Sequence, residues 1–347
     1  MPERASLVMW RNIGGGRTAF SLPELAEIAA QNHHIFKELQ YLPNIDYKPI
    51  RYISFAHDEE TYKTLEASKA WSKAEMIAPK QFREEISPYF NANPKKYISA
   101  LVSEDCWQAT PGKVVDLVRN LGIAVGGTVM EDCRVLEACR EGKYTSVLVQ
   151  THDKKYVEYR TEHFVNALGS GAGKLCDSMG IDAGLYPVRH QAFITRRLPM
   201  LGKHGTNLDM LIDRQDYKGF SAVYGQQIAY TGQIIGCASP KLDAMRIDKN
   251  LKVNTKAFLE IVSEMFSEWI PDLAGVGIQA VWAGYYTEPR YIVDPELGLF
   301  VGMRGHGFML SQYIARMYVD KLLGRPVPEY FEKLKLNGPG LSEKAFK

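Results

Sequence analysis

Charge and backbone freedom meet between Gly302 and Gly307, where the sequence reads Gly-Met-Arg-Gly-His-Gly. Arg304 offers a permanently charged planar donor, and His306 a ring that titrates near neutral pH. The glycines around them let a ligand approach the backbone closely. An apolar strand candidate, Leu299-Phe300-Val301, precedes the turn. A helix follows it, with Leu310, Ile314, Met317, Tyr318 and Leu322 on one face and Gly324 as its stop. Strand, glycine turn and helix aim N–H groups and the positive end of a helix dipole at one point, which suits an anion. An ordinary strand-to-helix connection has the same spacing, so spacing alone leaves both readings open.

Three other stretches carry candidate chemistry. His163 to Leu168 reads as a strand leading into Gly169-Ser170-Gly171-Ala172-Gly173-Lys174. This is not a Walker A loop, because Leu168 stands five before Gly173 and Leu175 follows the lysine. Backbone donors at this turn suit a phosphate or a hydroxyl; a βα turn with small residues for packing is the plainer alternative. Near the start, Arg11-Asn12-Ile13-Gly14-Gly15-Gly16-Arg17 precedes a helix from Pro23 to Leu39, with Ala26, Ala29, Ala30 and Ile35 on its apolar side. Taken alone this glycine run reads as a terminal loop. Finally, Ile278 to Pro295 is strand-like and holds Tyr285, Tyr286, Thr287 and Arg290. Neighbours on a strand point to opposite faces, so Tyr285 and Tyr286 cannot both face one cavity.

The elements that must position these residues form an α/β pattern. Arg51 to Ala56 reads as a strand, and Asp58 caps a helix toward Trp71. Thr110-Pro111 opens a helix with Val114, Val115, Leu117 and Val118 on its buried face and Gly122 at its end. Ile123 to Arg140, Tyr144 to Thr151 and Lys155 to Arg160 suggest a β-meander. Asn254 to Trp269 is the clearest helix, with Phe258, Ile261, Val262, Met265, Phe266 and Trp269 at helical spacing. The proline-rich, then basic stretch from Pro326 to Lys347 is expected to trail over the surface. The 347 residues exceed one typical domain, and 46% hydrophobic with 24% charged residues is an ordinary globular balance. A net charge of +2 carries no nucleic-acid footprint, and no apolar run is long enough for a membrane span. Cys106, Cys133, Cys139, Cys176 and Cys237 form no Cys-x-x-Cys pair, which argues for free thiols, no metal site and a cytoplasmic address.

Gly-x-x-Gly-His-Gly-Phe ahead of an apolar helix resembles the last flavin-contacting segment of the FAD-dependent amine oxidoreductases, the D-amino acid oxidase, glycine oxidase and sarcosine oxidase superfamily. Val165-Asn166-Ala167-x-Gly169-x-x-Ala172 is similar to that family's second flavin loop. Arg11-Asn12-x-Gly-Gly-x-Arg17 is similar to its segment crossing beneath the flavin. Tyr186 to Thr195 fits its crossover strand. The resemblance implies an α/β (α+β) fold: a Rossmann-like FAD/NAD(P)-binding domain from residues 1–50, 101–185 and 291–347, and an antiparallel-sheet substrate domain from 51–100 and 186–290. It implies FAD as cofactor, held by Arg11, Asn12, Gly15, Ala167, Gly169, Gly305, His306, Gly307, Phe308 and Met309. It implies an amino or imino acid substrate whose carboxylate Arg17 grips, with Arg304, Tyr286 and Arg290 as further catalytic candidates. Where sarcosine oxidases carry a lysine over the flavin, the nearest match is Ile234, which favours a dehydrogenase passing electrons to a partner chain or other acceptor.

One departure stands against this pattern. The family opens with a strand, Gly-x-Gly-x-x-Gly and a helix, and only ten residues precede Arg11 here. The nucleotide-binding domain is therefore expected to be N-terminally incomplete, by truncation or because another chain supplies the unit. A non-catalytic subunit that binds no FAD alone is the competing expectation.

Overall fold

The structure is a computed structural model that describes residues 12–42, 44–91, 96–215, 219–240, 255–341 and 343. In chain order the strands are β1 (Gly15–Gly16), β2 (Lys48–Ala56), β3 (Ala74–Ile77), β4 (Ser99–Gln108), β5 (Arg134–Glu141), β6 (Tyr144–Gln150), β7 (Tyr156–Thr161), β8 (Tyr186–Arg197), β9 (Met210–Asp213), β10 (Phe220–Gln227), β11 (Gln233–Pro240), β12 (Ile278–Glu288), β13 (Ile292–Asp294) and β14 (Leu299–Val301). The main helices are α1 (Pro23–Leu39), α2 (Glu59–Ala67), α3 (Pro111–Ala124), α4 (Ala172–Ser178), α5 (Thr255–Trp269) and α6 (Gly307–Leu322). The chain divides into two compact units. Unit one is Met1–Trp10, Gly112–Pro187 and Tyr285–Leu341; unit two is Arg11–Pro111, Val188–Gly284 and Ser342–Lys347.

Unit two is built on a sheet in the order β1-β4-β2-β9-β10-β11-β8-β12, with β3 also on β4. The β2–β9 pair is parallel, and β4 and β10 pair antiparallel with their neighbours. Helix α5 lays Phe258, Ile261, Val262, Met265, Phe266 and Trp269 into the core beside Phe55, Phe193 and Val223, following the 3.6-residue period of its sequence. Each such side chain contributes about 1.5–3 kcal/mol by leaving water. Helix α1 buries Leu25, Ala26, Ile28, Ala29 and Phe36; Ala30 is exposed and Ile35 only half-buried, so its inward face is rotated from the expected one. Asp58 caps α2 by accepting from the Thr61 N–H at 2.7 Å.

A buried carboxylate ties this sheet to the loop before β4. Asp213 is fully buried and meets His57 Nε2 at 2.6 Å and the Tyr97 hydroxyl at 2.9 Å. His57 Nδ1 meets the Lys96 carbonyl at 2.7 Å. A ring with a carboxylate at one nitrogen and a carbonyl at the other is best served by donating from both. Burial opposes that charge, but the Asp213 carboxylate outweighs it and raises the pKa of His57 above its ordinary 6.5. A raised folded pKa stabilises fully below the unfolded value and fades as pH climbs through the folded value. The melting-temperature gap between wild type and His57→Gln is therefore expected to narrow from about pH 6 to about pH 9. A gap that widens over that range contradicts the ion pair.

Unit one has two small sheets. β5, β6 and β7 form an antiparallel meander, and β13 and β14 an antiparallel hairpin. Helix α4 serves both: Leu175 packs with Ala138, Val147 and Val149 of the meander, while Ala172 and Cys176 pack with Ile292, Leu299 and Val301 of the hairpin.

Several expectations change. Residues 12–50 and 101–111 lie in unit two, where Gly15 and Gly16 pair with Gln108 and Trp107 at the β4 edge. The first meander strand starts at Arg134, not Ile123, because α3 runs on to Ala124. Of the α3 stripe, Val114 and Leu117 are buried, Val115 is half-buried and Val118 is exposed. The Thr110 hydroxyl at the start of that helix donates to Asp46 at 2.6 Å. Among the described residues after Pro326, Phe331, Leu334, Leu341 and Glu343 are buried, so that part does not trail over the surface; residues 342 and 344–347 of the expected tail lie outside the described residues.

Candidate active site

The glycine turn after β14 lies in unit one and is shaped by what it must avoid. Gly302 has φ +72°, and a Cβ there would stand 1.9 Å from the Arg290 carbonyl oxygen. Gly305 has φ +78°, and its Cβ would fall 2.1 Å from the Tyr286 ring. Between them Arg304 also takes a left-handed φ of +48°, a conformation that costs a side-chain-bearing residue about 1–3 kcal/mol. It is held there by its surroundings. Its N–H donates to the Thr287 carbonyl at 3.3 Å, and its Nε donates to Glu288 at 2.8 Å. Its guanidinium lies 5.9 Å from the Tyr291 ring centre. Both partner segments sit at the end of β12, so that strand clamps the turn.

His306 is the N-cap of α6 and makes no side-chain cap. Its Nδ1 meets the Tyr291 hydroxyl at 2.6 Å instead, with the two rings 6.2 Å apart and near parallel. The His306 side chain therefore takes none of the N–H donors of the helix start. Phe308, Met309 and Leu310 are buried behind it.

Asn166 brings the second glycine turn to the same place. Its N–H donates to the Gly298 carbonyl at 2.7 Å and its carbonyl accepts from Phe300 at 3.0 Å, a parallel bridge to Leu299. Two strand segments paired in parallel deliver their following loops to one edge. The register is matched: Gly169 lies three residues past Asn166, and Gly302 three past Leu299. Gly169 has φ +55°, and the space where its Cβ would sit is open to at least 4 Å. The Asn166 side chain fixes the turn, accepting from the Leu168 N–H at 3.2 Å and donating to the Ala172 carbonyl at 3.1 Å. Helix α4 also starts without a side-chain cap.

Two helix starts thus follow glycine turns at one parallel edge, where backbone donors suit an anion. The sequence matches the FAD dependent oxidoreductase family over residues 4–321. The chain belongs to that family. Solved structures share the fold. L-proline dehydrogenase from P. horikoshii is similar with a TM-score of 0.75 and 22% identity, covering 95% of this chain and 89% of its own. Glycine oxidase from Geobacillus kaustophilus follows with 0.77 and 16%, covering 95% and 88%. L-alpha-glycerophosphate oxidase from Mycoplasma pneumoniae, a structure with FAD bound, has 0.68 and 15%, covering 91% and 85%. No curated protein matches the sequence.

The residues present fit the cofactor of an FAD dependent oxidoreductase. The space over Gly169 is open, and the guanidinium nitrogen Nη2 of Arg304 is enclosed with no hydrogen-bond partner among the described residues. Of the expected site residues, Ala167, Gly169, Tyr286, Arg290, Arg304, Gly305, His306, Gly307, Phe308 and Met309 fall in unit one. Arg290 spends its guanidinium on the carbonyls of Leu336 and Gly338, the latter at 3.1 Å. It thereby pins the segment after α6 rather than presenting a free fork. Asn12, Gly15 and Arg17 fall in unit two, and Arg11 lies outside the described residues. Asn12 Oδ1 accepts from the Gly14 N–H at 2.6 Å, and Gly15 makes room for the Tyr52 hydroxyl, 2.2 Å from where a Cβ would stand. Arg17 is buried, with Nη1 on the Ala19 carbonyl at 2.8 Å and its guanidinium 4.0 Å over the Phe20 ring. Sequence reasoning assigned no role to Asn166, Glu288 or Tyr291. Asn166 had a legible signal: an asparagine two residues before a turn commonly accepts from the backbone there. The other two are made partners by tertiary folding and had none. Among the described residues there is no cluster able to hold a metal and no helix long and apolar enough to cross a membrane.

Proposed function

We propose that the chain oxidises the C–N bond of a small amino or imino acid, with FAD taking the hydride and an acceptor other than dioxygen taking the electrons onward. The observation that carries this reading is the parallel pairing of Asn166 with Leu299, which sets two uncapped helix starts at one edge. When bound, FAD supplies a ring that accepts two electrons as hydride. The chain's own residues bind, orient and stabilise charge. The substrate amine sheds one proton to solvent before hydride leaves the α-carbon; water then adds to the resulting iminium and the C–N bond breaks, giving an oxo acid and ammonium, or a ring-opened amino-oxo acid from a cyclic substrate.

Arg17 anchors the substrate carboxylate in this reading. A guanidinium stacked on Phe20 and tied to Ala19 has little rotational freedom to lose, so a carboxylate meets it pre-oriented. The start of α6 and the enclosed Arg304 guanidinium favour negative charge growing beside them during reduction. The dehydrogenase preference is supported by Ile234, a side chain 1% exposed that packs among Phe193, Val223 and Phe266. That position offers no ammonium group to assist dioxygen.

The test is anaerobic mixing of the FAD-loaded protein with a panel that includes L-proline and glycine. The visible flavin bands are expected to bleach, and an added quinone dye to restore them faster than air does. Bands unmoved by every amino and imino acid defeat the reading; restoration by air as fast as by dye defeats its dehydrogenase part.

A further inference from the structure

Unit two carries a buried amide that is only half used. On β10, Val223 packs in the core with α5, and a Cβ at Gly225 would come 2.7 Å from the Phe266 ring of that helix. Neighbours alternate along a strand, so Tyr224 and Gln226 face the other side of the sheet. There Tyr224 packs with Tyr52, Cys106, Met210 and Ile13. Gly225 pairs with Leu211, which makes the next residues along, Gln226 and Met210, cross-strand neighbours on that face. Gln226 is 1% exposed, and its Nε2 donates to the Ile13 carbonyl at 2.9 Å. A carbonyl only accepts, so this bond fixes which end of the amide is oxygen. That Oε1 is enclosed and has no hydrogen-bond partner among the described residues. Two other buried glutamines of the unit use both ends. Gln227 Oε1 accepts from the Leu201 and Leu208 N–H groups at 3.2 and 3.1 Å, and its Nε2 donates to the Pro199 and Gly232 carbonyls at 2.7 and 2.9 Å. Gln108 donates to the Gln227 carbonyl at 3.1 Å and accepts from the Ala229 N–H at 2.7 Å. A buried acceptor left unmet costs stability, which marks Gln226 out from both.

We propose that Gln226 Oε1 accepts an N–H of the substrate amine and so sets the requirement for an amino or imino group. This rests on the reading of an amino or imino acid as substrate and of Arg17 as its carboxylate anchor. The segment that leads to Arg17 crosses the same face: Ile13 is held by Gln226 itself, and a Cβ at Gly15 would come 3.0 Å from Met210 Cε. Arg17 follows two residues later, so one stretch of unit two addresses both the carboxylate and the amine of a small ligand. Met210 is the group that yields to admit the amine, because an unbranched thioether chain changes rotamer at little cost. An amide oxygen suits this partner at both stages. It takes an ammonium N–H in a charge-assisted bond. Once the amine is neutral, the same oxygen holds a remaining N–H and so fixes the direction of the nitrogen lone pair, along which the departing C–H bond must lie. Glutamine does not titrate, so it orients the amine without taking its proton.

The test compares 2-aminoisobutyrate with pivalate, which differ by an ammonium against a methyl group. Neither has an α-hydrogen to lose, so binding is read without turnover. Each dissociation constant comes from the rise in melting temperature of the full chain with ligand concentration. Wild type is expected to prefer 2-aminoisobutyrate. Gln226→Met, which keeps the length but neither end of the amide, is expected to reduce that preference about tenfold. Loosening of Ile13 would weaken both carboxylates alike, so the ratio isolates the oxygen. If Q226M does not fold, Q226N, which withdraws the amide by one methylene, is read against the same pair. A preference that the variant keeps, or a wild type that binds neither ligand, overturns the proposal and makes Gln226 a tether of Ile13 alone. A preference lost in the variant, with no amino acid bleaching the flavin, supports the amine contact while defeating the proposed reaction. Bleaching by an amino acid with the preference unchanged does the reverse.

Discussion

Gly302→Ala is expected to destabilise unit one by about 3–5 kcal/mol and to abolish retention of FAD. The added methyl would stand 1.9 Å from the carbonyl oxygen of Arg290, and φ at this position is +72°. A backbone carbonyl cannot swing aside as a side chain can, so either β14 or the Arg290 peptide must move. Arg290 also holds the carbonyls of Leu336 and Gly338, and its displacement would loosen the segment that buries Phe331 and Leu334. Gly169→Ala is the internal control. It meets the same left-handed penalty at φ +55° but nothing within 4 Å, so strain alone, about 1 kcal/mol, is expected. Urea unfolding of the two variants checks the contrast. Equal losses would mean that close approach to Arg290 does not shape the turn.

Glu288→Ala is the second large effect, about 3–5 kcal/mol. The Arg304 side chain is 1% exposed and that of Glu288 13%, with Nε and carboxylate 2.8 Å apart. Removing the acid leaves a buried cation without its counter-charge in a turn that already carries left-handed strain. Removing both charges relieves that penalty, so Glu288→Ala combined with Arg304→Met is expected to be closer to wild type than Glu288→Ala alone. Thermal unfolding of the cycle checks this. A double variant that loses the sum of both single losses would show that the two side chains act independently.

Locally encoded elements were legible before any coordinates. The strand Leu299–Val301, the glycine turn and helix Gly307–Leu322 follow from an apolar run, three glycines and a 3.6-residue period, signals that neighbours in the chain supply by themselves. Helix Thr255–Trp269 stood out for the same reason. Long-range partners were not legible. Nothing around Arg290 foretells that its guanidinium closes on carbonyls 46 and 48 residues away. Nothing around Gly15 foretells pairing with Gln108, which moves that segment into unit two. The α3 stripe shows the limit from the other side: its apolar run promises a buried face, yet Val118 stays exposed, because burial depends on what arrives to cover a helix. In the candidate site, residue types that donate to anions were readable, while Glu288 and Tyr291, which hold those donors, were not.

The central claim is that the turns at Gly169 and Gly302 receive one FAD, and Gly169→Asn tests it most directly. Asparagine tolerates the left-handed φ of +55° better than other side chains, and the space it would fill is open to at least 4 Å. The flavin-free variant is therefore expected to melt close to wild type. Its dissociation constant for FAD, measured by quenching of flavin fluorescence on titration, is expected to rise at least tenfold, about 1.4 kcal/mol of lost binding. An unchanged FAD affinity in a normally folded Gly169→Asn protein would contradict the account.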